Sequence, residues 1–174
     1  ILPNSYVEYK YTLMGDDYMI GYKVSFVGMQ NAIESNTTFV NLNWNYNLLT
    51  QEKSHENEKN ESTIYFRNAR DKDVDYLNER GDEQKNIGTS LKWISFKSRF
   101  FVSTLIADQA FDAADIHVYT LDEVNQPKRY LETMKASIPM AYKADGDNSF
   151  GMRLYFGPNK YRTLEKYDLR LERQ

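Results

Sequence analysis

Apolar and polar residues alternate along most of the chain, which is the pattern of strands whose two faces meet different surroundings. Between positions 40 and 48 the alternation is complete, because apolar side chains occupy the even positions and asparagine occupies every odd position. One face of this strand is therefore apolar and the other is a ladder of amides. The same pattern predicts strands at 18–26, 63–66, 115–121, 130–142 and 150–156, and the segment 93–107 is strongly apolar.

The pattern changes near the end of the chain. Gly157 and Pro158 follow the last strand, and proline is favoured at the first position of a helix, where its missing N–H costs nothing. Tyr161, Leu164 and Tyr167 then recur at a spacing of three. This spacing predicts one amphipathic helix of two or three turns.

Two polar segments separate the predicted strands. Residues 51–62 contain no large apolar side chain and are interpreted as a solvated hairpin loop, while 67–88 is a long charged connection. No repeat or low-complexity linker divides the chain. Many strands joined by polar turns, with one helix at the end, favour a single all-β domain of the β-sandwich type.

The composition of the chain excludes several classes of function. The 22 basic and 25 acidic residues give a net charge of −3, which is not the basic footprint of a nucleic-acid-binding protein. The absence of cysteine removes disulfides, thiolate metal sites and cysteine nucleophiles. No apolar run reaches the length of a membrane span. Because the chain begins with Ile1 rather than methionine, we expect it to be a fragment of a longer protein.

Few residues suit catalysis. His55 lies in a solvated segment and His117 in a half-polar strand, and two distant histidines do not supply the three or four ligands of a zinc site. Nucleophile-elbow and phosphate-loop motifs are absent from the sequence. The apolar run leaves two alternatives open: a central strand buried on both faces, or a partner-binding patch containing Trp93, Phe100 and Phe101.

Three segments resemble the periplasmic domain of the bacterial membrane protein insertase YidC. Residues 93–107 are similar to the family's tryptophan-containing segment with paired aromatics, and 154–161 to its aromatic strand ending in Gly-Pro. Residues 164–171 resemble the segment leading toward the membrane, and the Asn-, Lys- and Tyr-rich composition resembles the Bacteroidetes branch. Ser98 and Arg99 depart from the pattern, because relatives often carry glutamine there.

The resemblance implies an antiparallel β-supersandwich, related in shape to galactose mutarotases, with a short C-terminal helix. Residues 1–157 would form the sandwich, and 158–174 a helix and linker toward the membrane-embedded insertase. The linker residues that would couple the domain to the membrane are Gly157, Pro158, Tyr161, Leu164 and Tyr167.

The same resemblance implies a domain without catalytic residues, cofactor or metal, on the periplasmic side of the inner membrane. Its partners would be nascent membrane proteins and subunits of the Sec translocon, reached through the full-length protein, and not nucleic acid. Binding of client segments in an apolar groove near Phe100 and Phe101 is a secondary hypothesis, which rests on the apolar run and not on the resemblance. Two alternatives remain open: a mutarotase-like carbohydrate-binding or epimerase domain, and a surface lipoprotein domain.

Overall fold

The fold is described by a computed structural model, which covers residues 4–71, 73–120 and 130–174. In these residues the chain forms eleven strands and two short α-helices. The elements are β1 Tyr6–Leu13, β2 Met19–Val27, β3 Phe39–Leu49, α1 His55–Lys59, β4 Thr63–Asn68, β5 Val74–Tyr76, β6 Glu83–Ile87, β7 Leu91–Lys97, β8 Phe101–Phe111, β9 Ala114–Thr120, β10 Tyr130–Ala141, β11 Ser149–Pro158 and α2 Tyr161–Glu165. The strand predicted at 115–121 corresponds to β9, and Leu121 lies outside the described residues.

The strands form two antiparallel sheets. The larger sheet has seven strands in the order β1-β2-β11-β8-β7-β4-β5, and the smaller has four in the order β3-β10-β9-β6. Neighbouring strands in both sheets run antiparallel. The predicted all-β sandwich is therefore confirmed.

The main core lies between the two sheets and follows the period-two pattern of the sequence. On β10, for example, Met134, Ala136 and Ile138 point inward and are at most 1% exposed. At one end of the sandwich, the ring of Trp44 on β3 stacks on Phe96 of β7 with 3.9 Å between ring centroids. The aromatic contact fixes where β3 crosses the larger sheet.

A second apolar cluster lies on the outer face of the seven-stranded sheet, under the C-terminal segment. Trp93 and Tyr155 project from the sheet, and Leu164 and Leu171 from the C-terminal segment cover them, all four at most 1% exposed. The indole N–H of Trp93 donates a hydrogen bond to the carbonyl of Leu169 at 2.8 Å. This face of the sheet is therefore closed by the chain's own last residues.

The C-terminal helix is shorter than predicted and begins later. Pro158 is the last residue of β11, where it lies opposite Phe101, so it does not start the helix. The helix begins at Tyr161 and ends at Glu165. Pairing with β8 continues along β11 as far as Pro158 and keeps the chain extended there. The sequence pattern had predicted that the helix begins at this proline.

The segments interpreted as loops contain regular structure. Residues 51–62 include α1, and Glu58 in this helix is only 3% exposed, because its carboxylate accepts hydrogen bonds from the backbone N–H groups of Gln51 and Glu52. The predicted charged connection at 67–88 contains the short strands β5 and β6, which are edge strands of the larger and the smaller sheet. They lie beside each other, because Lys85 on β6 pairs with Asp75 on β5 at 2.8 Å. The prediction of solvated loops was wrong at these positions.

The apolar segment 93–107 spans two strands of a hairpin, β7 and β8. Leu91, Trp93, Ile94, Ser95 and Phe96 are all at most 2% exposed, so β7 is buried on both faces. For this part of the apolar run, the alternative of a central strand buried on both faces is confirmed. The alternative of an exposed partner-binding patch applies only to the tip of the hairpin.

One buried carboxyl group stands out in the core. Glu132, near the beginning of β10, is 2% exposed, and its Oε1 has no hydrogen-bond partner among the described residues. Burial raises its pKa to about 8, although the charge of Lys59 opposes the rise and that of Asp82 adds to it. The carboxyl is therefore mainly protonated in the folded protein at neutral pH.

Candidate functional site

The larger sheet extends beyond the smaller one and leaves part of its inner face uncovered. On β1, Tyr9 and Tyr11 share a face with Tyr22 of β2 and stack on its ring at 6.4 and 5.0 Å. Tyr22 is 9% exposed and belongs to the core, whereas Tyr9 and Tyr11 are 57% and 54% exposed. The apolar face of the sheet thus continues past the edge of the sandwich into solvent.

The uncovered face continues toward the tip of the β7–β8 hairpin. Ile20 on β2 lies opposite both Leu13 of β1 and Leu154 of β11, and Phe156 follows on the same face of β11. Phe156 is 44% exposed and Phe101, at the start of β8, is 59% exposed. We call the exposed side chains of this surface the aromatic floor; they are Tyr9, Tyr11, Leu13, Phe101 and Phe156.

A shallow cavity of about 470 Å³ opens at the hairpin end of the floor. Its lining residues are Tyr18, Phe101, Val102, Ser103, Phe156, Gly157, Pro158 and Lys160. The exposed Lys160 stands at the rim and no carboxylate lines the cavity. Apolar surface with a single cation at its rim is suited to an apolar, uncharged or carbonyl-rich segment of a partner.

Gly157 allows the backbone to pass close to two aromatic rings. A Cβ atom at this position would lie 2.7 Å from the hydroxyl of Tyr155 and 2.9 Å from Cγ of Tyr18. Tyr155 is fully buried, and its hydroxyl donates to the carbonyl of Pro158 at 2.9 Å. The absence of a side chain at 157 therefore sets the position of Tyr18 at the cavity rim.

The C-terminal segment is attached to the turn between β1 and β2. The Tyr167 hydroxyl donates a hydrogen bond to the carboxylate of Asp17, and the ammonium of Lys166 lies 3.5 Å from the same carboxylate. The hydrogen bond from Tyr167 and the charge of Lys166 lower the pKa of Asp17. Burial and the neighbouring Asp17 charge raise the pKa of Tyr167 well above its usual range. These contacts hold the last residues beside the cavity.

The structure separates the residues of the predicted partner patch. Phe100 and Phe101 are exposed at the hairpin tip, 52% and 59%, and remain accessible to a partner. Trp93 is fully buried under the C-terminal segment, and its inclusion in the patch was wrong because its ring packs in the second cluster. Arg99 lies over the Phe100 ring at 5.3 Å and pairs with Glu52 at 2.7 Å, which orders the tip.

The predicted linker residues fall into two groups. Leu164 is buried in the second cluster and Tyr167 packs against it, while Tyr161 is 59% exposed. Gly157 and Pro158 are part of β11 and line the cavity. Coupling of this segment to a membrane is a prediction that the arrangement of these side chains leaves open.

The tyrosines of β1 were missed from the sequence. Glu8 and Lys10 interrupt the apolar pattern, and the aromatic side of the strand is itself exposed, so no buried face marks β1 as a strand. The alternation of Tyr9, Tyr11 and Leu13 with charged and polar residues is the sequence pattern that indicates this strand.

The histidines do not form a site with other ligands. His55 is exposed in α1, and His117 lies on the outer face of β9, 4.9 Å from the Tyr119 ring. Across residues 4–71, 73–120 and 130–174, the structure contains no group of three His, Asp or Glu side chains placed to hold a metal ion. None of the helices within these same ranges has the length and apolarity needed to span a bilayer.

Comparison with known proteins identifies similar sequences. Residues 3–174 match the family described as the YidC periplasmic domain. Membrane protein insertase YidC of Parabacteroides distasonis is 31% identical over 94% of this chain, and that of Phocaeicola vulgatus is 32% identical over 91%. The protein of the same name from Porphyromonas gingivalis is 31% identical over 94%. The chain spans about a quarter of the length of these curated relatives, 25%, 25% and 26%.

Proposed function

The chain belongs to the YidC periplasmic domain family, and from this premise we propose that it is the periplasmic module of a membrane protein insertase. In this role it binds segments of membrane proteins that emerge at the periplasmic face of the inner membrane. The insertion step itself belongs to other parts of the full-length protein. The domain is a binding and positioning module without catalytic residues of its own.

The observation that carries this proposal is the aromatic floor. Soluble domains rarely leave contiguous apolar faces open unless a partner covers them. Here the floor ends at Phe101 and Phe156, beside a cavity of about 470 Å³. Its apolar surface matches the composition of membrane protein segments, which must avoid water before they insert.

The C-terminal segment supplies the second part of the proposal. Residues 158–174 would orient the domain relative to the membrane-embedded insertase, because Leu164 and Leu171 anchor the segment to the sheet. The Asp17–Tyr167 hydrogen bond places that anchor beside the cavity. A client in the cavity would therefore be held at a fixed position relative to the chain that continues toward the insertase.

Subunits of the Sec translocon are the proposed second class of partner. The exposed hairpin tip with Phe100 is suited to this contact, because Arg99 and its Glu52 pair keep the tip ordered in the free domain. The carbohydrate-binding alternative is not favoured, since the family match covers residues 3–174.

Site-specific photo-crosslinking tests the client proposal. A benzoylphenylalanine would replace Phe101 or Phe156 in the full-length insertase that carries this domain, during synthesis of a multi-spanning membrane protein. Tyr76 is the matched control, because it is 52% exposed on β5, at the margin of the larger sheet opposite β1. We expect client adducts from Phe101 and Phe156, and few from Tyr76. Equal adducts from all three positions, or none from the floor, would overturn the proposal.

A further inference from the structure

The buried carboxyl of Glu132 lies where α1 packs against the smaller sheet. Its neighbours across the sheet are Leu48 on β3 and Thr120 on β9, and α1 contacts the same strand, β10. The side chain is 2% exposed, and its Oε1 has no hydrogen-bond partner among the described residues. A buried carboxyl oxygen without a partner costs free energy, and the cost is larger when the group is charged. For packing alone, an apolar side chain would be more stable at this position.

Lys59, the last residue of α1, is the cation that acts on this carboxyl. Its ammonium donates a hydrogen bond to the hydroxyl of Thr120 at 2.5 Å. Because Thr120 lies opposite Glu132 in the register of β9 and β10, the two side chains share a face, with their Cβ atoms about 5 Å apart. The ammonium is therefore bound to one residue of a cross-strand pair and lies within a side chain's length of the other.

The charged groups of α1 and of the nearby turn do not offer a second cation. Asp82 accepts a hydrogen bond from the backbone N–H of Thr120 at 2.7 Å, and its negative charge opposes ionisation of Glu132. The carboxylate of Glu58 on α1 binds two backbone N–H groups at the start of its own segment. The first two residues of α1 are exposed.

The flanking strands do not offer one either. β3 has no charged residue, and the charged and titratable residues of β9, Asp115 and His117, lie on the outer face of the sheet. Among the described residues, Lys59 is therefore the cation within reach of an ionised Glu132.

The position of α1 also affects the tip of the β7–β8 hairpin. The carboxylate of Glu58 accepts a hydrogen bond from the backbone N–H of Glu52 at 3.2 Å, so the helix fixes the residue that pairs with Arg99 at 2.7 Å. Glu61, on the other side of the helix, lies 3.5 Å from Nε of Arg99. Arg99 in turn lies over the ring of Phe100. A shift of α1 is therefore transmitted to the tip by the carboxylates that precede and follow it.

We propose that Glu132 and Lys59 form a proton-operated switch that sets the position of α1 and, through Arg99, that of the hairpin tip. While Glu132 is protonated, the ammonium of Lys59 bonds to Thr120, which is the arrangement in the structure. When Glu132 releases its proton to solvent, its carboxylate draws the ammonium away from Thr120. A buried charge without a partner costs more than the lost hydrogen bond to a hydroxyl.

The switch goes beyond the function proposed above, because it involves only groups within this domain. Crosslinks from the aromatic floor test the binding of clients, and their absence would leave the behaviour of Glu132 and Lys59 unchanged. The two proposals can therefore fail separately.

Carbon-detected NMR of the 174-residue chain between about pH 6.5 and 9.5 tests the switch, since ordinary carboxyls and lysines titrate outside this range. The carboxyl carbon of Glu132 reports its ionisation, the carbonyl carbons of α1 report the helix, and Cζ of Arg99 reports the tip. We expect all three sets of signals to shift with one midpoint. Constant signals from α1 or Arg99, or a Glu132 carboxyl already ionised at about pH 6.5, would overturn the proposal.

Three variants separate movement of the helix from a simple field effect. Glu132→Gln cannot ionise, so the signals of α1 and Arg99 should no longer shift. Lys59→Met keeps an unbranched side chain without the charge; the Glu132 midpoint should rise by about one pH unit, and α1 should not follow it. Lys53→Met, at an exposed position of the same segment, is the matched control and should titrate like the wild type. Equal shifts of α1 in wild type and Lys59→Met would contradict the switch.

Thr120→Val removes the partner that Lys59 has in the protonated state. The Cε signal of Lys59 should therefore differ from that of the wild type at about pH 6.5 and coincide with it at about pH 9.5, where Glu132 binds the ammonium in both proteins. Circular dichroism of each variant establishes that the fold is retained. A difference of the same size at both pH values would show that Lys59 does not change partner, and the switch would be wrong.

Discussion

Replacement of the buried carboxyl at position 132 is expected to change how the stability of the domain depends on pH. The carboxyl of Glu132 has a pKa of about 8 in the folded chain against an ordinary value of 4.5. The folded state therefore binds a proton that the unfolded state releases between these two values. Stability from this group is complete below about pH 4.5 and is lost as the pH rises toward about 8.

The magnitude follows from the two pKa values. Each pKa unit corresponds to about 1.4 kcal/mol, so deprotonation of Glu132 costs about 5 kcal/mol once the pH exceeds 8. At pH 7 the loss of folding stability is about 3 kcal/mol. It is smaller than the limit at high pH, because the carboxyl is still mostly protonated in the folded state. At pH 5 it is below about 1 kcal/mol.

Glu132→Gln keeps the shape of the side chain and removes the titration. We expect the variant to match the wild type at about pH 5 and to exceed its free energy of unfolding by about 3 kcal/mol at pH 7. Urea denaturation between about pH 5 and pH 8 measures both curves. Glu34→Gln, at an exposed loop position, is the control for loss of a negative charge. Parallel curves for wild type and Glu132→Gln would refute the assignment of a raised pKa to this carboxyl.

Three further substitutions test how the C-terminal segment and the cavity rim are built. Trp93→Phe removes the donor to the Leu169 carbonyl and should lower the free energy of unfolding by about 2 kcal/mol, as measured by urea denaturation. Leu171→Ala should cost about 2–4 kcal/mol and expose the C-terminal segment to limited proteolysis, since this side chain is fully buried. Gly157→Ala should lower the free energy of unfolding by about 1–3 kcal/mol in thermal melts, because the added Cβ would overlap two tyrosines. Gly88→Ala is the control, because there is open space around Gly88, and it should change the free energy of unfolding by less than about 0.5 kcal/mol. Equal effects at the two glycines would contradict the close packing at the rim.

The strands with one buried face could be predicted from the sequence, and those without one could not. β3 and β10 alternate cleanly because one face packs against the core. β1 was missed because its aromatic face is exposed, and β6 because Glu83 and Lys85 give an edge strand the composition of a loop. The formation of an edge strand depends on the strand with which it pairs, and this pairing cannot be read from a single sequence.

The candidate site was only partly predictable for a related reason. An exposed Phe101 was one of the two alternatives that the apolar run left open. Trp93 could not be separated from it, because its burial depends on Leu169 and Leu171, more than seventy positions later. The aromatic floor arises from the unequal widths of the two sheets, which is a property of the assembled fold.

The C-terminal segment also determines how the domain would respond to mechanical load. Although it follows β11, its buried leucines and the Leu169 carbonyl attach it to Trp93 on β7, two strands further into the sheet. A pull on the last residues is therefore transmitted first to the middle of the larger sheet. The strands at its margin would not be peeled away one at a time.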